Sequence, residues 1–199
     1  MINFIELNTS IPYRLFKKLY DDALLKNQSG IEAIVISSYS STTGEVDSRY
    51  VNLKYIKDNE WIFFSNYLSP KSVQFQSTNQ ISAVIYWESI NVQIRMKAKI
   101  KKTDSIFSDE HFKSRDYDKN ILAIASKQSQ EIHSYQEILN KVKLTSQKNP
   151  TSKNRPSYWG GFSFEPYYFE FWEGHKSRIN KRDSYQINRG EWHHSILQP

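Results

Sequence analysis

The chain is predicted to be mainly β with peripheral helices, an α+β protein built on an antiparallel barrel. Strand-like runs joined by short turns and one short helix follow one another from residue 31 to residue 102, without the alternating βαβ units that a parallel sheet requires. A polar, helical interval over 104–147 interrupts them, and strand-like runs resume at WGGFSFEPYYFEFWEG. The 13 Tyr, 11 Phe and 5 Trp among 199 residues supply one sizeable core without disulfides or metals. A single domain spanning 1–199, with a helical insertion over about 104–147, is therefore expected.

Each element has its own signal. Ser10 as N-cap, Pro12 in the first turn, and Leu15, Phe16, Leu19, Tyr20, Ala23 and Leu24 at helical spacing predict an amphipathic helix ended by Gly30. IEAIVISS, a turn around Thr43-Gly44, SRYVNLKYI, the turn Lys57-Asp58-Asn59 and EWIFFS read as antiparallel strands. Ser69-Pro70 opens a short helix, SPKSVQFQS. Two more strands follow, QISAVIYW and NVQIRMKAKIKK, the second alternating apolar and basic side chains. In the insertion Asp104 caps DSIFSDEHFKSR, and SYQEILNKVKLTSQ carries Ile138, Leu139 and Val142 on one stripe. KNPTSKNRPS is expected to be a flexible connection whose Lys and Arg order over a ligand. WGGFSFEPYYFEFWEG, HKSRINKRDSYQI and EWHHSIL are expected to return to the sheet as strands.

Composition narrows the chemistry. With no cysteine, disulfides, thiolate nucleophiles, Fe–S clusters and Cys-based zinc sites are excluded, so electron chemistry needs a borrowed cofactor. His111, His133 and His175 are scattered, and His193 and His194 adjoin in a strand-like run, where neighbours face opposite sides. No metal is expected. Gly160-Gly161 stands outside any Gly-rich phosphate loop. The net charge of +6 favours anionic partners. Arg95, Lys97, Lys99 and Lys101 beside aromatics are read as a solvated strand face, so no nucleic-acid partner is expected. MINFIELNTS lacks the pattern of a signal peptide, and no run of 18 apolar residues occurs, so a cytoplasmic protein with no membrane partner is expected.

The phrases SRYVNLK, FFSNYLSPKS, ASKQS, WGGF and FEFWEGHKSRINKR, in this order, resemble the pyridoxamine 5′-phosphate oxidase family, FMN-dependent enzymes that make pyridoxal 5′-phosphate. The resemblance runs from about Pro12 to the C-terminus. It implies an FMN-binding split β-barrel and a homodimer with FMN at the interface. It assigns the FMN phosphate and ribityl chain to Arg49, the Phe64-Ser65 pair, Lys71 and Gln93, with Lys54 bordering cofactor and substrate. Across the interface it assigns Gln128, Ser129, Trp172 and Arg182. For a phosphorylated substrate it implies Lys54, His111, Arg115 and Lys119, with Arg178 and Asn180 as catalytic residues over the ring. O₂ is the implied electron acceptor.

The sequence departs from the family pattern at several positions. His111 stands for a tyrosine, Lys119 for a serine, Asn180 for a histidine and Pro70 for an arginine; the motif turn reads EG and NKR where the family prefers QG and HDR. Arg49 and Lys54 have opposite strand parity, which requires a bulge if both serve one site. YWESINVQI and the terminal ILQP are similar to the phenazine-biosynthesis flavin oxidases, the first alternative reading. An FMN-binding module without turnover is the second.

Overall fold

A computed structural model describes residues 1–199. Its strands are β1 (Asn3–Ile5), β2 (Ala33–Tyr39), β3 (Val46–Asn52), β4 (Tyr55–Lys57), β5 (Glu60–Asn66), β6 (Gln80–Trp87), β7 (Val92–Lys102), β8 (Trp159–Glu173), β9 (Lys181–Asn188) and β10 (Glu191–Ile196). Its helices are α1 (Ile11–Leu25), α2 (Pro70–Thr78), α3 (Ser105–Ser114), α4 (Tyr117–Ala125) and α5 (Tyr135–Lys148). All ten strands join one sheet in the order β1-β4-β5-β8-β7-β6-β2-β3, with β9 on β8 and β10 on β9. Every pairing is antiparallel except β1 with β4. The mainly antiparallel barrel with helices around it is thus as expected.

The long strand β8 organises the sheet. One edge pairs with β7 from Phe162 to Glu173, while the other holds β5 along Trp159–Phe164 and β9 along Tyr168–Glu173. The changeover falls at Pro166, where the β7 register shifts between Lys97 and Ala98. Proline has no N–H to donate, so it is tolerated where ladder bonding lapses.

Alternation fills the core. Val92, Ile94, Met96, Ala98 and Ile100 of β7 are buried, as are Ile81, Ala83, Ile85 and Trp87 of β6. Helix α1 closes this core with Tyr13, Phe16, Tyr20 and Ala23. The Phe16 ring lies 4.4 Å from Trp61 and 5.4 Å from Trp87. Phe16 is fully buried, so Phe16→Ala is expected to destabilise the fold by about 3–5 kcal/mol in chemical denaturation.

Local expectations fail where tertiary contacts outweigh pattern. Helix α1 ends at Leu25, and Gly30, at φ +56°, serves a later turn. Ser10 makes no side-chain cap bond; its N–H donates to Asn8 Oδ1 at 2.9 Å. The run SRYVNLKYI breaks between β3 and β4, because Leu53 is buried and the Lys54 N–H donates to the Ile62 carbonyl. Arg49 and Lys54 therefore lie on different segments, and no bulge is needed. Arg155 is anchored rather than free to close over a ligand: it donates to Asp109 Oδ1 and to the Trp159 carbonyl, each at 2.6 Å. Residues 174–180 form a turn, not a strand, with Arg178 at φ +60°. No helix is long and apolar enough to cross a membrane.

Candidate functional site

A cavity of about 630 Å³ is lined by residues of β3, β4 and β5 and of helices α2, α3 and α4. At its inner end Lys71, the second residue of α2, is 8% exposed. Its ammonium donates to Ser65 Oγ and Ser69 Oγ, both at 3.2 Å. Ser69 donates onward to the Asn66 carbonyl, which leaves its lone pairs for Lys71. No carboxylate pairs with this cation. Burial, and secondarily Arg49, push its pKa down to about 8. Arg49 on β3 donates to Ser38 Oγ at 2.6 Å and Gln74 Oε1 at 3.2 Å, and pairs with Asp47 at 3.2 Å. Two cations thus meet beside the N-terminus of α2, where backbone donors and the helix dipole favour an anion.

The outer end of the cavity is built by α3, α4 and β4. Arg115 caps α3, with its guanidinium 4.4 Å from the Trp159 ring centre, and it donates to Asn120 Oδ1 at 3.0 Å. Lys119 pairs with Asp116 at 2.6 Å and Lys54 with Glu32 at 3.8 Å. His111 stacks on Phe64, ring centres 3.7 Å apart, and its Nδ1 lies 2.9 Å from the Tyr55 hydroxyl. Burial, then Arg115 and Lys54, push His111 down to about 4, so it is neutral at pH 7. Between pH 6.5 and about 4 the unfolded chain binds a proton that this folded imidazole refuses, so stability falls as acid is added across that window. His111→Gln is expected to lose less stability than wild type between pH 7 and 5 in denaturant titrations.

A second group lies elsewhere. Gln93 pairs across the sheet with Trp172, and Trp172 with Arg182, so the three form one row over β7, β8 and β9. Arg178 and Asn180 sit in the adjoining turn, where Asn180 Oδ1 accepts from the His175 N–H at 3.0 Å. None of these five lines the cavity, whereas Lys54, Phe64, Ser65, Lys71, His111, Arg115, Lys119 and Gln128 do. Gln128 Oε1 accepts from the Asn66 N–H at 3.3 Å within the same chain, and its neighbour Ser129 has φ +67°. Gln93 therefore lies beside Trp172 and Arg182, whereas Gln128 lines the cavity.

A family model described as the pyridoxine 5′-phosphate oxidase C-terminal dimerisation region matches residues 159–199. The chain is 31% identical to the pyridoxine/pyridoxamine 5′-phosphate oxidase of Actinobacillus pleuropneumoniae serotype 5b, covering 94% of this chain and 89% of that protein. It is 35% identical to the protein of the same name from Legionella pneumophila strain Lens, covering 94% and 87%. The chain belongs to the pyridoxine/pyridoxamine 5′-phosphate oxidase family. Among solved structures, PhzG from Burkholderia lata 383, in complex with tetrahydrophenazine-1-carboxylic acid, superposes with a TM-score of 0.90 at 23% identity, covering 96% of this chain and 93% of that one. A pyridoxamine 5′-phosphate oxidase-related, FMN binding protein from Nostoc punctiforme superposes at 0.78 with 14% identity, covering 96% and 99%. These likenesses establish the split-barrel fold of the oxidase family.

The residues present fit FMN. The Lys71 ammonium, buried without a carboxylate, matches a phosphate monoester, whose oxygens accept charge-assisted bonds. The glycines of the oxidase-family WGGF motif serve packing: a Cβ at Gly160 would overlap the Tyr67 hydroxyl, and one at Gly161 would overlap Thr103. Sequence reading missed Ser38 and Gln74 on Arg49, Tyr55 on His111 and Glu170 on Arg182. Only Glu170 carried a signal, since it lies two residues before Trp172 and so shares its face.

Proposed function

We propose that the chain is an FMN-dependent oxidase converting pyridoxine or pyridoxamine 5′-phosphate to pyridoxal 5′-phosphate, with O₂ reduced to hydrogen peroxide, working as a cytoplasmic homodimer. The observation that carries this reading is one cavity holding a buried, unpaired lysine at one end and a second set of cations, Lys54, Arg115 and Lys119, at the other. This supports a reading in which two anionic groups bind at once.

FMN, when bound, supplies the two-electron chemistry. Lys71, Arg49 and the α2 N-terminus hold its phosphate, with Ser65 and Gln128 beside them. Lys54 and Arg115 clamp the substrate phosphate, and Lys119 adds a third charge at the rim. With the Tyr55 hydroxyl donating to Nδ1, the neutral His111 ring would carry its proton on Nε2 and offer it to a phosphate oxygen. Trp172, Arg182, Arg178 and Asn180 all fall within the segment matched by the dimerisation-region model, which supports their entering the site from the partner subunit. There Arg178 orients the substrate ring, and the Asn180 amide donates without titrating.

The test is peroxide formation by FMN-loaded protein given pyridoxine 5′-phosphate or unphosphorylated pyridoxine. Turnover only of the phosphorylated vitamer is expected. The departures at His111, Lys119 and Asn180 favour a second reading, an oxidase of another planar ring of the phenazine-biosynthesis type, and equal turnover of the two vitamers would decide for it. Absence of peroxide from both, with FMN bound, would leave a flavin-binding module.

A further inference from the structure

Glu170 is the most deeply buried carboxylate in the sheet, its side chain only 3% exposed, and it lies outside the cavity. Its partners divide cleanly between its two oxygens. Oε1 accepts from Arg182 twice, from Nε at 2.9 Å and Nη2 at 2.8 Å. Oε2 accepts from Arg95 Nη1 and from the Tyr168 hydroxyl, each at 3.1 Å. A third Arg182 donor, Nη1, reaches the Gln198 carbonyl at 2.8 Å, and the Leu197 N–H donates to the Arg182 carbonyl at 2.9 Å. Arg182 is thus held on one side by a buried carboxylate and on another by the segment after β10.

We propose that Glu170 is a positioning residue for the cofactor: it fixes the Arg182 guanidinium so that its remaining N–H groups and its charge are presented to FMN. This rests on the reading that FMN binds beside Arg182. Three of the five guanidinium N–H groups are committed to the protein, which leaves two free for a ligand. The charges add in the same sense. Two arginines against one carboxylate leave this cluster a net +1, so an electron-rich or anionic group is attracted to it. An arginine restrained at three donors loses little freedom on binding, which is the energetic advantage of preorganisation. Arg95 and Tyr168 act one step further out, holding the second oxygen so that the carboxylate cannot swing away.

The test is titration of apo protein with FMN, following quenching of flavin fluorescence, with thermal unfolding of the apo forms in parallel. Glu170→Gln keeps the shape but loses the charge, and it places an amide donor against one of the two arginines. It is expected to weaken FMN binding by about tenfold. The deciding comparison is Glu170→Gln made in an Arg182→Ala background, where it is expected to cause no further loss, because a residue acting through Arg182 has nothing left to position. An equal loss in both backgrounds would overturn the proposal, and a merely structural role would give that result. Arg95 is half-exposed, so Arg95→Gln is the gentler variant should Glu170→Gln not fold; it is expected to give a smaller loss, again absent in Arg182→Ala. Unchanged FMN affinity in Arg182→Ala alone would instead sink the placement of FMN at this arginine, a result distinct from failure of the Glu170 coupling.

Discussion

Lys71→Met is expected to lower FMN affinity by about a hundredfold, the worth of a charge-assisted hydrogen bond at the top of its usual range. Flavin retained through gel filtration and the fluorescence-quenching Kd both measure it. The same substitution is expected to stabilise the apo protein at pH 7, since methionine fills the space without burying an unpaired charge. The pH dependence follows from the sign of the shift. Lys71 titrates at about 8 in the fold and near 10.5 when unfolded, so between these values the unfolded chain binds more protons and rising pH stabilises wild type. The stability advantage of Lys71→Met is therefore largest at or below about pH 8 and closes toward pH 10.5. A variant less stable than wild type at pH 7 that keeps its FMN would show that Lys71 is a packing residue. The destabilised apo state is what a site built for an anion shows before its ligand arrives.

Arg115→Ala is expected to raise KM for the phosphorylated vitamer about ten- to a hundredfold and leave FMN affinity near wild type. Its guanidinium is already oriented by Asn120 and by the face of Trp159, so substrate binding need not order it. Arg115→Lys separates charge from geometry: the ammonium retains attraction but lacks the planar fork, and an intermediate KM is expected. Lys54→Ala is expected to act in the same direction. Steady-state peroxide kinetics across vitamer concentrations read both, and an unchanged KM in Arg115→Ala would remove the phosphate clamp from this end of the cavity.

Much of the fold was legible because the signals are local. Alternating burial along β6 and β7 follows the period of the strand, and α1 shows its apolar stripe directly in the spacing of Phe16, Tyr20 and Ala23. Asp104 caps α3 as its residue type predicts, accepting from the Ile106 and Phe107 N–H groups. The candidate residues themselves came from short motifs, each read without knowing what lies across from it.

What the sequence by itself determined is therefore the inventory: which segments extend or coil, and which residue types are available for an anionic, redox-active ligand. Tertiary structure decided the groupings. Arg155 reads as a loop cation until Asp109, 46 residues away, captures it. Gln128 is 62 residues from Asn66 yet accepts its N–H, and Arg95 meets Glu170 across a separation of 75. Arg178 and Asn180 look paired on one strand face until β8 ends at Glu173 and the chain turns. Periodicity reports only the side of its own element on which a side chain falls. Which distant element supplies the partner depends on strand order, and that is set by the free energy of burying all the apolar faces together.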